Sequence, residues 1–186
     1  MDNTTKMLGG IGYIVLIVFG FLGGIMAPLN IITLAAAICV LIAFIRASNE
    51  LGRPEIKSRA ITALVLYIIA AVLLIFLVGA GVAAYFLHRG SVGAAVGLGA
   101  GVVVGGIISW ILSIVAAWFW YKASIPLTQA TGIGLYGTGG LLIFIGAILL
   151  VVFGLGAILI LIGDILQCIA FFTTPEKIEE PPAATA

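Results

Sequence analysis

Charge is what this chain has least of. Of its 186 residues, 8% are charged and the formal net charge is +1, where an ordinary soluble domain carries roughly 25% charged residues. There is one histidine, and there are two cysteines, Cys39 and Cys168. Each scarcity removes a class of function. Without clustered Lys and Arg there is no electrostatic footprint for nucleic acid. Without a Cys-x-x-Cys pair or a histidine near either cysteine, small buried hydrophobes are preferred to a metal or redox pair. With a single histidine and one isolated carboxylate inside the apolar runs, the chain lacks the nucleophile–base pair or the paired acids that catalysis needs. The expectation is therefore a non-enzyme with no metal and no cofactor.

What is abundant is apolar surface. Hydrophobic residues make up 63% of the chain, and the mean hydropathy is +1.37. So much apolar surface fits no single soluble core, so the solvent is lipid. Spanning about 30 Å of hydrocarbon takes about 20 helical residues, and five segments reach that length: 8–26, 29–45, 60–87, 92–121 and 135–172. Read as one helix, the first two would be about 57 Å long, and Pro28 would lack a helical donor. They are expected to form an amino-terminal helical hairpin. The fold class is thus all-α: a polytopic membrane domain over residues 1–172 with about five transmembrane helices. A Pro-, Ala- and Glu-rich tail, 173–186, has nothing to bury and is expected to be disordered. The amino-terminal apolar run exceeds the ~7–15 residues of a signal-peptide core and is expected to be retained.

Polar punctuation sets the loops. In the segment 46–59, Gly52 suits a helix carboxyl end and Pro54-Glu55 the first turn of the next helix. Five crossings place Lys6, Arg46, Arg53, Lys57, Arg59 and Lys122 on one side, and Arg89 and Lys177 on the other. Basic residues favour the cytoplasm. The reading is a multi-pass plasma-membrane protein with a cytoplasmic amino terminus and an external tail. Trp118, Trp120, Tyr121 and Lys122 are read as interfacial anchors at headgroup depth.

Glycine supplies the most conspicuous pattern. Gly93, Gly97, Gly101 and Gly105 recur at a spacing of four, continued by Ser109, with Gly20 and Gly24 repeating the theme in the first span. Residues four apart share a helix face. In lipid, a face without side chains permits close backbone approach. The row is read as a packing face, with its partner in the same chain as the simpler case and in another subunit as the alternative. Gly132, Gly134 and Gly137 spell G-x-G-x-x-G, but without the strand–turn–helix context of a dinucleotide site, so no nucleotide is expected. Asp164 alone among ionisable residues falls within a span and is by default a functional candidate. Counted along a single fifth helix it lies near the outer interface, which favours an interfacial acid over a proton or cation site. His88 is likewise read as a residue at the water boundary.

The stretches TKMLGGIG at the start, and ATGIGLYGTGGLLIFIGAILL with IGDILQCIAFF near the end, resemble the domain-of-unknown-function family 996. The resemblance covers most of the chain, most closely from Thr131 to Phe172. It implies a small multi-span protein of an archaeal plasma membrane and carries over no catalytic residues. Together these readings lead to a protein that acts by helix packing, as an accessory or structural subunit of a membrane complex or as a homo-oligomer. Its partners are then the bilayer and other membrane subunits or itself. The alternative is a small solute or ion transporter with a glycine-lined path.

Overall fold

A computed structural model describes residues 1–23, 30–87, 92–151 and 154–176. Six helices follow one another: α1 (Asn3–Gly23), α2 (Asn30–Glu50), α3 (Pro54–Leu87), α4 (Val92–Thr131), α5 (Gly134–Leu149) and α6 (Leu155–Thr173). Among the described residues there is no strand. Five of the helices are long and apolar enough to cross a membrane, and α5 is the shorter sixth. Helices dominate because a backbone in hydrocarbon must satisfy its own N–H and C=O groups.

The packing is of the membrane kind. The interior is built largely from small residues, with Ala43, Ala47, Ala60, Ala63, Ala117, Ala123 and Ala170 fully buried, while Ile75, Phe76 and Val103 face outward. Small residues at helix contacts bring backbones together where no hydrophobic force operates between helices. Hairpin partners pack most closely: α1 with α2, α3 with α4, and α5 with α6. The expected amino-terminal hairpin is present, although its turn at Ala27-Pro28 lies outside the described residues. The α2–α3 turn is as the sequence marks it. Gly52 adopts a left-handed φ of 63°, Pro54 opens α3, and the Ser48 hydroxyl donates to the Arg53 carbonyl at 2.7 Å.

Three expectations are corrected. The fourth span does not stop at Tyr121, because α4 runs through Pro126 to Thr131. Proline leaves the carbonyl four residues earlier without its helical donor. That carbonyl belongs to Lys122, and it accepts from the Arg59 guanidinium at 2.8 Å. The break the proline would cause is repaired from α3.

The fifth span, 135–172, is not one helix. It folds back on itself between α5 and α6, with Gly154 at φ 73°. The length argument that splits the first two spans applies here as well: 38 residues would reach about 57 Å.

The third correction concerns the ends. Pro175 and Glu176, at the start of the expected tail, lie beside the amino terminus and not at the opposite end of the bundle. The Met1 ammonium donates to the carbonyls of Pro175 and Glu176 at 3.2 and 2.8 Å, and Lys6 Nζ lies 3.9 Å from the Glu176 carboxylate. An added return through α5 and α6 brings residue 176 back beside residue 1. Residues 177–186, most of the expected tail, and His88–Gly90 lie outside the described residues.

Candidate functional site

Splitting the last span moves Asp164. It is the tenth residue of the 19-residue α6, so it lies mid-helix and not near an end as expected. Its neighbours are Gly163, facing Gly139 and Ile143 of α5, and Gln167 one turn on. Ionisable side chains at such depth are costly and normally mark function.

A polar cluster surrounds this position. The Tyr13 hydroxyl of α1 donates to Gln167 Oε1 at 2.7 Å and accepts from Trp120 Nε1 at 3.2 Å. Gln167 Nε2 donates to Ser124 Oγ at 3.1 Å, and that hydroxyl donates to the Trp120 carbonyl at 3.0 Å. Four side chains from α1, α4 and α6 are thus tied into one buried network. Each hydroxyl and indole proton is already committed, so the network fixes the shape of the site without partnering the acid. Asp164 itself is 8% exposed, and no hydrogen bond or ion pair from a described residue reaches its carboxyl.

Instead Asp164 borders open space. A cavity of about 290 Å³ is lined by Asp164 together with Tyr13, Tyr67 and Trp120, and by residues from every helix of the bundle. A second cavity, about 310 Å³, lies between α1 and the α5–α6 hairpin, lined by Ile17, Gly20, Leu150 and Leu161. Leu16, Ile160 and Asp164 line both. Asp164 therefore stands where two cavities meet. A larger groove, about 440 Å³ between α1 and α2, contains no charged side chain and has no comparable chemistry.

The other sequence candidates fare unequally. Trp118 is exposed, with Lys122 Nζ 4.6 Å from its ring centre, and Tyr121 stacks on Phe144 at 6.4 Å. Trp120 is corrected: it is no outward-facing anchor but a buried residue of the polar network, 4.6 Å from Phe44. In the glycine row, a methyl added to Gly105 would lie 2.7 Å from Leu77 Cδ1 of α3, and one on Gly101 3.9 Å from the Leu77 carbonyl. Ser109 extends that seam by donating to the Ala70 carbonyl at 3.0 Å. Gly20 meets nothing within 4 Å. The surroundings of Gly93 and Gly97, and all of Gly24, lie outside the described residues. The closest backbone approaches occur elsewhere, at Gly139 against Gly163 and Gly146 against Gly156.

Sequence reasoning missed Tyr13, Tyr67, Ser124 and Gln167. Only Gln167 carried a local signal, three residues from Asp164 and hence on its face. Cys168 donates weakly to the Gly10 carbonyl at 3.4 Å, and both cysteines are free. Among the described residues no group of three His, Cys, Asp or Glu side chains could hold a metal ion.

Comparison with known proteins identifies the family of the chain. The chain is 32% identical over 176 residues to an uncharacterised protein of the archaeon Methanocaldococcus jannaschii, covering 94% of this chain and 93% of that one. No solved structure matches. A family model described as "protein of unknown function (DUF996)" matches residues 32–165, from the start of α2 to just past the Asp164 junction. The chain belongs to the DUF996 family of proteins of unknown function.

Proposed function

We propose that this protein is a non-catalytic, multi-pass carrier of the plasma membrane in which Asp164 binds a small cation at the junction of two cavities. The observation that carries the proposal is the acid itself: mid-helix, nine-tenths buried, unpartnered among the described residues and lining both spaces. An unpaired buried carboxylate is expensive. A mobile cation arriving through either cavity offsets that cost. We therefore favour transport over the helix-packing reading.

The experiment is cation flux into liposomes containing the purified protein, with sodium, potassium, methylammonium and choline chlorides as solutes. The expected result is protein-dependent entry of at least one cation, reduced about a hundredfold by Asp164→Asn, a loss near 2.7 kcal/mol of barrier stabilisation. No flux of any of the four would overturn the carrier. The subunit reading retains one observation of its own. Helices α3 and α4, roughly 51 and 60 Å long, outreach the others and leave Ile75, Phe76, Leu87 and Val103 exposed.

The topology we propose has α5 and α6 crossing as a pair and both ends in the cytoplasm. The 16 residues of α5 reach about 24 Å, which a locally thinned bilayer accommodates. The six described basic residues, Lys6, Arg46, Arg53, Lys57, Arg59 and Lys122, then share the cytoplasmic end, as short basic loops do. Ser58→Cys and Glu176→Cys, each introduced after replacing Cys39 and Cys168 by alanine, are expected to react with a membrane-impermeant maleimide from the same side. Reaction from opposite sides would exclude the paired crossing.

A further inference from the structure

The cavity in front of Asp164 carries a second kind of information, about which cation it takes. Three aromatic residues line it with the acid: Tyr13 from α1, Tyr67 from α3 and Trp120 from α4. Most of the remaining lining is aliphatic, including Leu16, Val40 and Leu64. We infer that this cavity selects an organic ammonium ion over a metal cation. The inference rests on the proposed cation site at Asp164 and specifies its ligand class.

A hard metal ion is a poor match. Calcium takes six to eight oxygen ligands, and magnesium demands near-octahedral oxygen geometry. Asp164 is the one carboxylate lining this space. The Tyr13 hydroxyl is already engaged by Gln167 and Trp120. With the hydroxyls of Thr33 and Tyr67, the lining still offers fewer oxygens than the six or more such an ion takes.

An alkylammonium ion has the opposite needs. Its charge is spread over methyl groups that pack against apolar walls, and aromatic rings attract it through their quadrupoles, Trp most strongly. One carboxylate neutralises the charge without further oxygens. The space is sufficient: about 150 Å³ accommodates benzene, and this cavity has about 290 Å³. The buried network of Tyr13, Gln167, Ser124 and Trp120 holds two of the three rings in place before a ligand arrives. Such preorganisation lowers the cost of binding.

The test is equilibrium dialysis of labelled choline against the full-length protein in detergent micelles. Competitors are sodium chloride, calcium chloride and 3,3-dimethylbutan-1-ol, the uncharged isostere of choline. Saturable choline binding is expected, with the isostere and both metal salts failing to displace it at equal concentration. Asp164→Asn is expected to weaken binding about tenfold or more, and Tyr67→Leu about fivefold, with Tyr67→Phe close to the parent because the ring remains. Displacement by the isostere as effective as by choline itself would overturn the inference, since shape alone would then explain binding. Equal displacement by sodium or calcium would overturn it too, as would absent binding to protein that remains helical and monodisperse. Sodium flux that depends on Asp164 without choline binding would sink the ammonium inference and leave the carrier standing. Choline binding without flux of any of the four cations would do the reverse.

Discussion

Gly156→Ala is expected to force α5 and α6 apart and lower the protein's thermal midpoint. A single methyl at this position would fall on the Gly146 carbonyl oxygen and on the backbone of Leu150. Both obstacles are main chain, so no rotamer change relieves the collision. At the other end of the same hairpin, a methyl on Gly139 would lie 2.8 Å from the Gly163 carbonyl oxygen, and one on Gly163 2.7 Å from that of Gly139. The two helices are therefore held at glycine-to-glycine distance at both ends and cannot pivot away from one clash without opening the other. Overpacking costs about 1–3 kcal/mol, occasionally more, and lipid supplies no hydrophobic term to offset lost contact between helices. At two to three kcal/mol, the thermal midpoint falls by roughly 4–12 °C for a chain of this size. The matched control is Gly106→Ala, where nothing lies within 4 Å of the added methyl. Thermal unfolding in micelles, followed by near-ultraviolet circular dichroism, compares the two. A Gly156→Ala protein that melts with the parent would mean that the hairpin is looser than described.

Asp164→Leu is expected to give a more stable protein that carries nothing. On insertion scales, an acid at the centre of a membrane helix costs about 2.5–3.5 kcal/mol, whereas leucine contributes about −0.3 to −0.6. The change deletes no hydrogen bond from a described residue, and the adjoining 290 Å³ cavity has room for the bulkier side chain. Part of the gain is lost because the acid already sees that space rather than bare lipid, which leaves about 1–3 kcal/mol of stabilisation. Flux, by contrast, is expected to vanish. Gains in stability on removing a functional group are the usual mark of a site maintained at a cost to the fold. If Asp164 instead served as a structural acceptor, Asp164→Leu would lower the thermal midpoint by several degrees, and that result would count against the site.

The sequence made the solvent legible, and with it the fold class, because 63% hydrophobic residues leave no soluble alternative. The turn at Gly52 and Pro54 was legible because its chemistry is local. The α5–α6 break was not, since residues 149–156 read LLVVFGLG and contain no polar residue. The signal was spacing: Gly139 and Gly146 are mirrored by Gly156 and Gly163 about residue 151, as a hairpin with matched close approaches requires. Missing it counted Asp164 along one 38-residue helix, whereas it is the tenth of 19 residues in α6, and separated residue 176 from residue 1, which it touches. Helical α4 at Pro126 was illegible for another reason. The group that rescues it is Arg59, 63 residues before the Lys122 carbonyl to which it donates. Trp120 was grouped with its neighbours by proximity in sequence. Trp118, Tyr121 and Lys122 share a face at i, i+3 and i+4, and Trp120 does not.

The central claim is that a cation-attracting space reaches Asp164 from within the bundle, and thiol chemistry at Leu16 tests it most directly. Leu16 lines both cavities beside the acid, while Ile14, two residues earlier on α1, is exposed on the outer face. Each is replaced by cysteine in a chain whose Cys39 and Cys168 are alanine, and is exposed in liposomes to small cationic and anionic methanethiosulfonates. The account predicts that Leu16→Cys reacts, faster with the cationic reagent, and that Asp164→Asn removes the preference, while Ile14→Cys stays unreacted in lipid. Equal silence at positions 14 and 16, or a preference for the anionic reagent, would contradict it.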